Sequence, residues 1–392
     1  MSERRLRILH VFRTPVGGLF RHVLDVSRGQ IERGHEVGIL CDSSTGGARA
    51  DEVLEHLRPR LALGVTRVPM RRNPHPLDLA ALASVRRTWR ELRPNVLHGH
   101  GSKGGAYARL ASRGGGPDAP IRAYTPHGGS FHYPPGTLRH VLYMGAERIL
   151  ARRTDLFLFE SDYIAGRFRA YVGETDRVVR VVHNGLNDAE FEPVASTAEP
   201  FDLMHVGELR PGKGLETLID ALALLRREHQ TRLTLLVVGS GASQGVLQDR
   251  ARAASVWDSL AFVPAQPIRD VLGRGRVMVM PSHAESLPYV ILEAAAARQP
   301  LVATRVGGIP EIFGPQTDEL IPPADVPALA EAIRRRLSEP EEVRLTRAES
   351  LRRFVRGRFA LARMVDGVLA GYVAALGGDP AVSNSQDRRH PR

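Results

Sequence analysis

The chain has a single cysteine, Cys41, in 392 residues, which excludes a disulfide framework and any cysteine-rich metal site. Aromatic residues are scarce at 6%. The arginines are scattered through helical stretches and are not interleaved with aromatics, so the stacking platform of a nucleic-acid binder is not expected. Nowhere do about 18 uncharged apolar residues run together, and no transmembrane helix is expected. The first apolar run, residues 6–12, is short and holds Arg7 and His10, so no targeting segment is expected either. A P-loop is missing, because Lys213 is followed by Gly214 where that motif needs Ser or Thr. Gly239, Gly241 and Gly245 miss the spacing of a dinucleotide fingerprint by one residue, which makes them better evidence for close backbone packing than for NAD.

What is present is an ordinary globular balance, 43% hydrophobic and 25% charged, in a length that suggests two to three units of about 150 residues. Lys and Arg number 54 against 43 Asp and Glu, a formal charge of +11, which favours a polyanionic partner or acidic surface and says nothing about fold. Short apolar runs alternate with amphipathic ones. Strands are expected at 6–12, 36–41, 66–70, 95–98, 121–125, 155–159 and 178–182, and the pattern restarts at 202–206, 233–238, 260–263, 277–280 and 301–304. Unbroken apolar strands separated by helices argue for doubly wound parallel α/β sheets. A stretch poor in large apolar residues, 192–200, reads as a linker. The expected organisation is an N-terminal domain at 1–192, a C-terminal domain at 193–375 whose last helix can cross back to the first, and a disordered tail at 376–392. Two facing sheets of this kind would bind ligands beyond the carboxyl ends of their strands.

Residues 277–311 carry the most chemistry. A strand ends at Pro281-Ser282, Glu285 follows in the loop, and Pro288 fits the first turn of a helix, whose free amides can hold an anion. Glu293 then falls inside that helix. A buried carboxylate there needs a partner such as vicinal sugar hydroxyls, but a solvent-facing Glu293 and a Glu285 that complements the helix dipole fit the sequence equally well. In Gly207–Gly214 a strand runs into a glycine-rich turn with Arg210 and Lys213, two cations suited to a diphosphate, or a plain basic loop. Gly17-Gly18 follows the first strand and lets backbone amides approach a phosphate or sugar, or makes an ordinary tight turn. His98, His100 and His127 sit just after strand candidates. No acidic or cysteine ligand completes a metal set around them, so His127 is expected as a polar group in a sugar pocket and the other two as structural.

Together these segments resemble a retaining glycosyltransferase of family four with the GT-B fold, two Rossmann-like domains facing a central cleft. The resemblance spans residues 5–375. Its most specific part is E-x7-E, here Glu285 and Glu293 within PSHAESLPYVILEAAAARQPLVATRVGGIPEI, supported by GGLFRHV, HGHGSKGGAYARLA, VVHNGL, VGELRPGKGLETLIDAL and VVGSG. It implies that Glu293 holds the ribose of a nucleotide diphosphate sugar, with a UDP or GDP donor. Glu285 and the amides of Ser286 and Leu287 would contact the donor sugar, Lys213 the diphosphate, and Gly17 and Gly18 the phosphates and sugar. His127 would contact the sugar near the reacting centre. Where the family often carries arginine directly after the glycine, this chain has Glu208, and Arg210 is the candidate replacement. The resemblance further implies sugar transfer to an acceptor hydroxyl, in polysaccharide or glycolipid assembly, with no cofactor and no catalytic metal.

Two rivals use the same fold class: a non-catalytic sugar-nucleotide-binding protein, and an NAD-dependent oxidoreductase, which would need a glycine fingerprint and a ribose-binding acid that neither half supplies. Nucleic acid is not expected as a partner. Residues 136–153 carry Leu138, Val141, Leu142, Met144, Gly145, Ile149 and Leu150 beside Arg139, Arg148, Arg152 and Arg153. Such a stripe either packs on the first sheet or lies on an anionic membrane. The second choice predicts a cytoplasmic protein that visits the inner membrane face, with a lipid-linked acceptor.

Overall fold

Strands whose side chains are apolar on both faces must be covered on both faces, and here they are. A computed structural model of the protein describes residues 5–112 and 119–377. Seven strands, β1 (Arg7–Phe12), β2 (Glu36–Asp42), β3 (Val65–Val68), β4 (Val96–His100), β5 (Ile121–Thr125), β6 (Leu156–Phe159) and β7 (Val178–Val181), form one sheet in the order β3-β2-β1-β4-β5-β6-β7. Five more, β8 (Phe201–Val206), β9 (Leu235–Val238), β10 (Leu260–Val263), β11 (Gly275–Met280) and β12 (Leu301–Ala303), form a second in the order β10-β9-β8-β11-β12. All pairs are parallel. β3 stops at Val68 because Pro69 has no amide hydrogen to donate to a ladder.

The chain divides into two units, one made of the described residues up to Gly185 and those from Leu361 on, the other Leu186–Ala360. The division therefore falls seven residues before the expected boundary at 192. The proline-bounded stretch is a surface segment of the second unit. Phe191 is buried in that unit's core, the Val194 amide bonds the Ala297 carbonyl at 3.1 Å and the Thr197 amide the Gly273 carbonyl at 3.0 Å. Arg269 donates to the carbonyls of Glu190 and Glu192. The terminal helix, Leu361–Ala375, belongs to the first unit, where Met364, Val368 and Tyr372 pack with Leu156, Leu158 and Val182. Leu376 still packs against that cluster, so the ordered chain runs past the expected start of the tail. Residues 378–392, the rest of that tail, lie outside the described residues.

The helix Leu138–Ala151 starts where the Thr137 side chain accepts from the His140 amide. It buries Met144 and Leu150 together with His140 and Glu147. The apolar stripe is divided: Met144 and Leu150 are buried, whereas Leu138, Val141, Leu142 and Ile149 are 74%, 60%, 62% and 65% exposed. Among the described residues, no helix is long and apolar enough to cross a membrane.

Candidate functional site

In an open parallel sheet, ligand chemistry collects where the strand order reverses, outside the carboxyl ends of the two diverging strands. That point lies between β1 and β4 in the first sheet and between β8 and β11 in the second.

In the second unit the β8 loop and the β11 loop are stitched together there. Gly214 has φ +72, and a Cβ on it would lie 1.8 Å from the Pro281 carbonyl oxygen, so only glycine fits. The His283 amide donates to the Gly212 carbonyl at 2.9 Å. This brings the Lys213 ammonium to the Glu285 carboxylate, Nζ to Oε1 at 2.5 Å, and Ser282 Oγ donates to the same oxygen at 2.8 Å. Glu285 is only 8% exposed, so its charge is held by this pair of donors and not by water. Ser286 and Leu287 follow directly, the Ser286 carbonyl accepting from the Gly308 amide at 2.7 Å. Pro288 is the cap of the helix Tyr289–Ala296 and stands just outside the first turn in which it was expected. Glu293 is half-buried one turn into that helix.

Arg210 shares the loop with Lys213 but not its environment. It is exposed, and its Nε donates to Glu208 at 3.1 Å. His205 was overlooked in the sequence, although a histidine inside the apolar run FDLMHV was the available signal. It is fully buried on β8, and its Nδ1–H donates to the Val279 carbonyl at 3.0 Å. Burial lowers its pKa to about 4. Its Nε2 has no hydrogen-bond partner among the described residues. Gly239 and Gly241 serve packing, because a Cβ on either would lie within about 2.2 Å of the Gly207 or Leu209 carbonyl oxygen.

In the first unit Gly17 opens the helix Gly17–Glu32 at φ +67, with Gly18 exposed beside it. His98 and His100 were expected just past a strand. They lie within β4 and are buried, because neighbouring polar side chains satisfy both rings. His98 contacts the Tyr372 hydroxyl at 2.7 Å and Thr125 Oγ1 at 2.9 Å. His100 is the middle link of a chain. Gln30 Oε1 can only accept, so His10 donates to it from Nε2 at 2.9 Å. His10 Nδ1 then accepts from His100 Nε2 at 2.9 Å, and His100 Nδ1 accepts from His127 Nε2 at 3.1 Å. One glutamine thereby fixes the tautomers of three neutral imidazoles and leaves the lone pair of His127 on Nδ1. Burial lowers His10 and His22 to about 4, and holds His98, His100 and His127 well below the usual histidine range. His127 adopts φ +52, a left-handed conformation that few residues without a glycine's freedom take up.

His98, His100 and His127 thus converge here with two residues that spacing did not single out, His10 and His22. His22 Nδ1 contacts Asn184 Oδ1 at 3.0 Å, which gives the VVHNGL segment its inward-facing residue. Ring nitrogens of His10, His98 and His100, and of His22, His100 and His127, lie within 4.8 Å of one another. Most of these nitrogens are already committed to each other or to side chains, and among the described residues His22 Nε2 and His127 Nδ1 are left without a hydrogen-bond partner. His100 and His127 also line a cavity of about 480 Å³ within this unit, beside Arg13, Arg72, Lys103 and Tyr133.

Comparison with known proteins follows the same division. Residues 16–190 match the family described as Glycosyltransferase Family 4, and residues 187–353 match Glycosyl transferases group 1. The chain is 30% identical over 394 residues to a glycogen synthase of Mycobacterium tuberculosis, covering 93% of this chain and 92% of that one. Among solved structures it is similar to a sucrose-phosphate synthase from Thermosynechococcus elongatus, with TM-score 0.77, 20% identity, and 94% and 100% of the two chains covered. It is also similar to the Anabaena protein HepE in complex with UDP-glucose, with TM-score 0.75, 19% identity, and 93% and 98% covered.

Proposed function

The chain belongs to glycosyltransferase family 4 and has the GT-B fold, and from that premise we propose that it moves a sugar from a UDP or GDP sugar to an acceptor hydroxyl with retained anomeric configuration. The observation that carries this reading is the Lys213–Glu285–Ser282 cluster at the β8/β11 switch point. A cation held by a single buried carboxylate can exchange that partner for a diphosphate, whose charge then meets a fixed ammonium in a partly dry site. Glu293 takes the ribose hydroxyls, and Glu285 with the Ser286 and Leu287 amides takes the donor sugar. Arg210, bonded to Glu208, is assigned the smaller part in diphosphate binding. In the first unit Gly17, Gly18 and His127 are assigned to phosphate and sugar contacts, His127 through the Nδ1 lone pair that its neighbours leave open.

In the reaction the bond from the anomeric carbon to the phosphate oxygen breaks, its electron pair leaving with the nucleoside diphosphate. The acceptor oxygen forms the new bond on the same face, and its proton passes to the departing phosphate. Lys213 stabilises the charge that develops there, so no cofactor or metal is assigned. HepE, solved with UDP-glucose, supports a nucleotide-sugar donor.

The exposed stripe on Leu138–Ala151, beside exposed Arg139, Arg148, Arg152 and Arg153, supports a cytoplasmic protein that rests on an anionic inner membrane face and glycosylates a lipid-linked acceptor in polysaccharide or glycolipid assembly.

Calorimetric titration with UDP-glucose and GDP-mannose, with EDTA present throughout, tests the donor site. Lys213→Ala and Glu293→Ala should each weaken the binding of the preferred donor by roughly ten- to a hundred-fold, the loss of a hydrogen bond to a charged group. Equal affinity in a folded variant removes that residue from the site, and binding that EDTA abolishes and manganese restores replaces the metal-free reading.

A further inference from the structure

The cavity of the first unit has a feature that donor chemistry does not use. Arg13, in the loop after β1, and Arg72, after β3, both line it. Neither guanidinium has an ion-pair or hydrogen-bond partner among the described residues. The other cation of the lining, Lys103, pairs with Asp78, and Glu147, also in the lining, is taken by Arg109 at 2.8 Å. The nearest acid to Arg13 is committed elsewhere, since Asp42 accepts from Ser44, Thr45 and the Met70 amide. Arg13 is half-buried. Burial lowers its pKa first, attraction to Asp42 offsets part of that, and repulsion from Arg72 is the smaller of the two charge effects. Arg72 is exposed, so an anion entering the cavity would meet two guanidinia that have no ion-pair or hydrogen-bond partner among the described residues.

The rest of the cavity says what that ligand looks like. Gly101–Lys103, the first turn of the helix Gly101–Ala111, lines it, and the helix dipole there favours negative charge. Tyr133 and Tyr143 stack with ring centroids 4.9 Å apart and form an aromatic wall, while Leu79 and Leu82 make an apolar one. His127 stands at the same cavity, at the end of the imidazole chain.

We propose that this cavity is the acceptor site and that the acceptor carries a phosphate group, with Arg13 and Arg72 as its ligands and the Tyr133–Tyr143 wall against its ring or apolar body. The inference rests on the glycosyltransferase reading and gives that enzyme's acceptor a chemical class. Arg suits the role, because its planar fork binds two phosphate oxygens at once and stays charged in a half-buried place. Both a soluble sugar phosphate and a sugar linked to a polyprenyl phosphate present this chemistry together with an acceptor hydroxyl.

The test is calorimetry on the full chain with UDP at saturation, so that the phosphate site of the second unit is filled. Phenyl phosphate serves as the soluble probe and farnesyl phosphate in mild detergent as the lipid one. At least one should bind, and Arg13→Gln and Arg72→Gln should each weaken it by about tenfold or more, with UDP affinity unchanged as the sign of an intact fold. Phenyl phosphate alone marks a soluble acceptor, farnesyl phosphate alone a lipid-linked one, and both together a site that reads only the phosphate. If neither probe binds while UDP does, or if the variants bind as the natural protein does, the proposal is overturned. If UDP fails to bind, GDP takes its place in the same test, and if neither nucleotide binds the fault lies with the donor reading.

Discussion

At its switch point the first unit places buried neutral rings, whereas the second places a tight pair of opposite charges. His10, His22, His98, His100 and His127 are held neutral by burial and mutual hydrogen bonds, next to a cavity whose guanidinia lack partners among the described residues. Lys213 and Glu285 satisfy each other where two loops 72 residues apart along the chain are held together. The difference follows from the work assigned to each. A donor diphosphate always brings the same charge, so one lysine on a glycine loop suffices. An acceptor must be shaped and oriented, and a rigid network of neutral donors and acceptors does that without a large desolvation cost.

The largest test of this contrast is pH. A histidine whose folded pKa lies below its unfolded value contributes its full stability above the unfolded pKa near 6.5, and loses it as pH falls toward the folded value, because the unfolded chain takes up the proton first. For His10 and His22, lowered to about 4, the loss is on the order of 3 kcal/mol each. The first unit carries five such rings among the described residues and the second carries His205. Between pH 7 and 4.5 the first unit should therefore open before the second. Hydrogen exchange of peptides from each unit, corrected for the intrinsic effect of pH, reads this directly. Earlier opening of 186–360 would break the comparison.

A smaller effect separates the units at surfaces. If the stripe on Leu138–Ala151 meets lipid, the protein should sediment with anionic liposomes at low salt and be released at high salt, with about 1 kcal/mol from each nearby arginine. Leu142→Glu, at a side chain that is mostly exposed, should abolish sedimentation with little change in thermal stability. A natural protein that stays in the supernatant at every salt concentration, with and without anionic lipid, points to a soluble acceptor.

The second unit was far more legible in the sequence than the first, for a physical reason. Its site is built from two short contiguous segments, 207–214 and 281–293, whose glycines and glutamates stand at fixed offsets. All twelve strands were visible as apolar runs. In the first unit the site is assembled from residues distant along the chain: Arg13, His22, Gln30, Arg72, His100 and His127 meet only after β1, β3 and β4 pair or come to lie in one sheet. Histidines inside apolar strands looked structural, and His98 and His100 do sit within β4. The sequence could not show that one glutamine sets the tautomers of three rings. The exposed stripe was visible as an amphipathic pattern, but its direction depends on which face the sheet takes, and here Glu147 turns inward to meet Arg109.

The smallest expected effect sharpens the comparison within the second unit itself. Arg210 and Lys213 share one glycine-rich loop, yet Lys213 is nearly buried against Glu285 while Arg210 is open to solvent with Glu208. An exposed pair of this kind contributes about 0–1 kcal/mol, since water screens it and both side chains lose freedom in making it. Arg210→Ala should therefore shift thermal stability very little and weaken donor binding by roughly threefold or less, against the ten- to hundred-fold loss expected for Lys213→Ala. The same titration with UDP-glucose or GDP-mannose measures both. A loss at Arg210 as large as that at Lys213 would mean that the guanidinium leaves Glu208 when the diphosphate arrives. Arg210 would then take the place of the arginine that the family often carries at position 208, and the loop would hold two equal ligands for one charge.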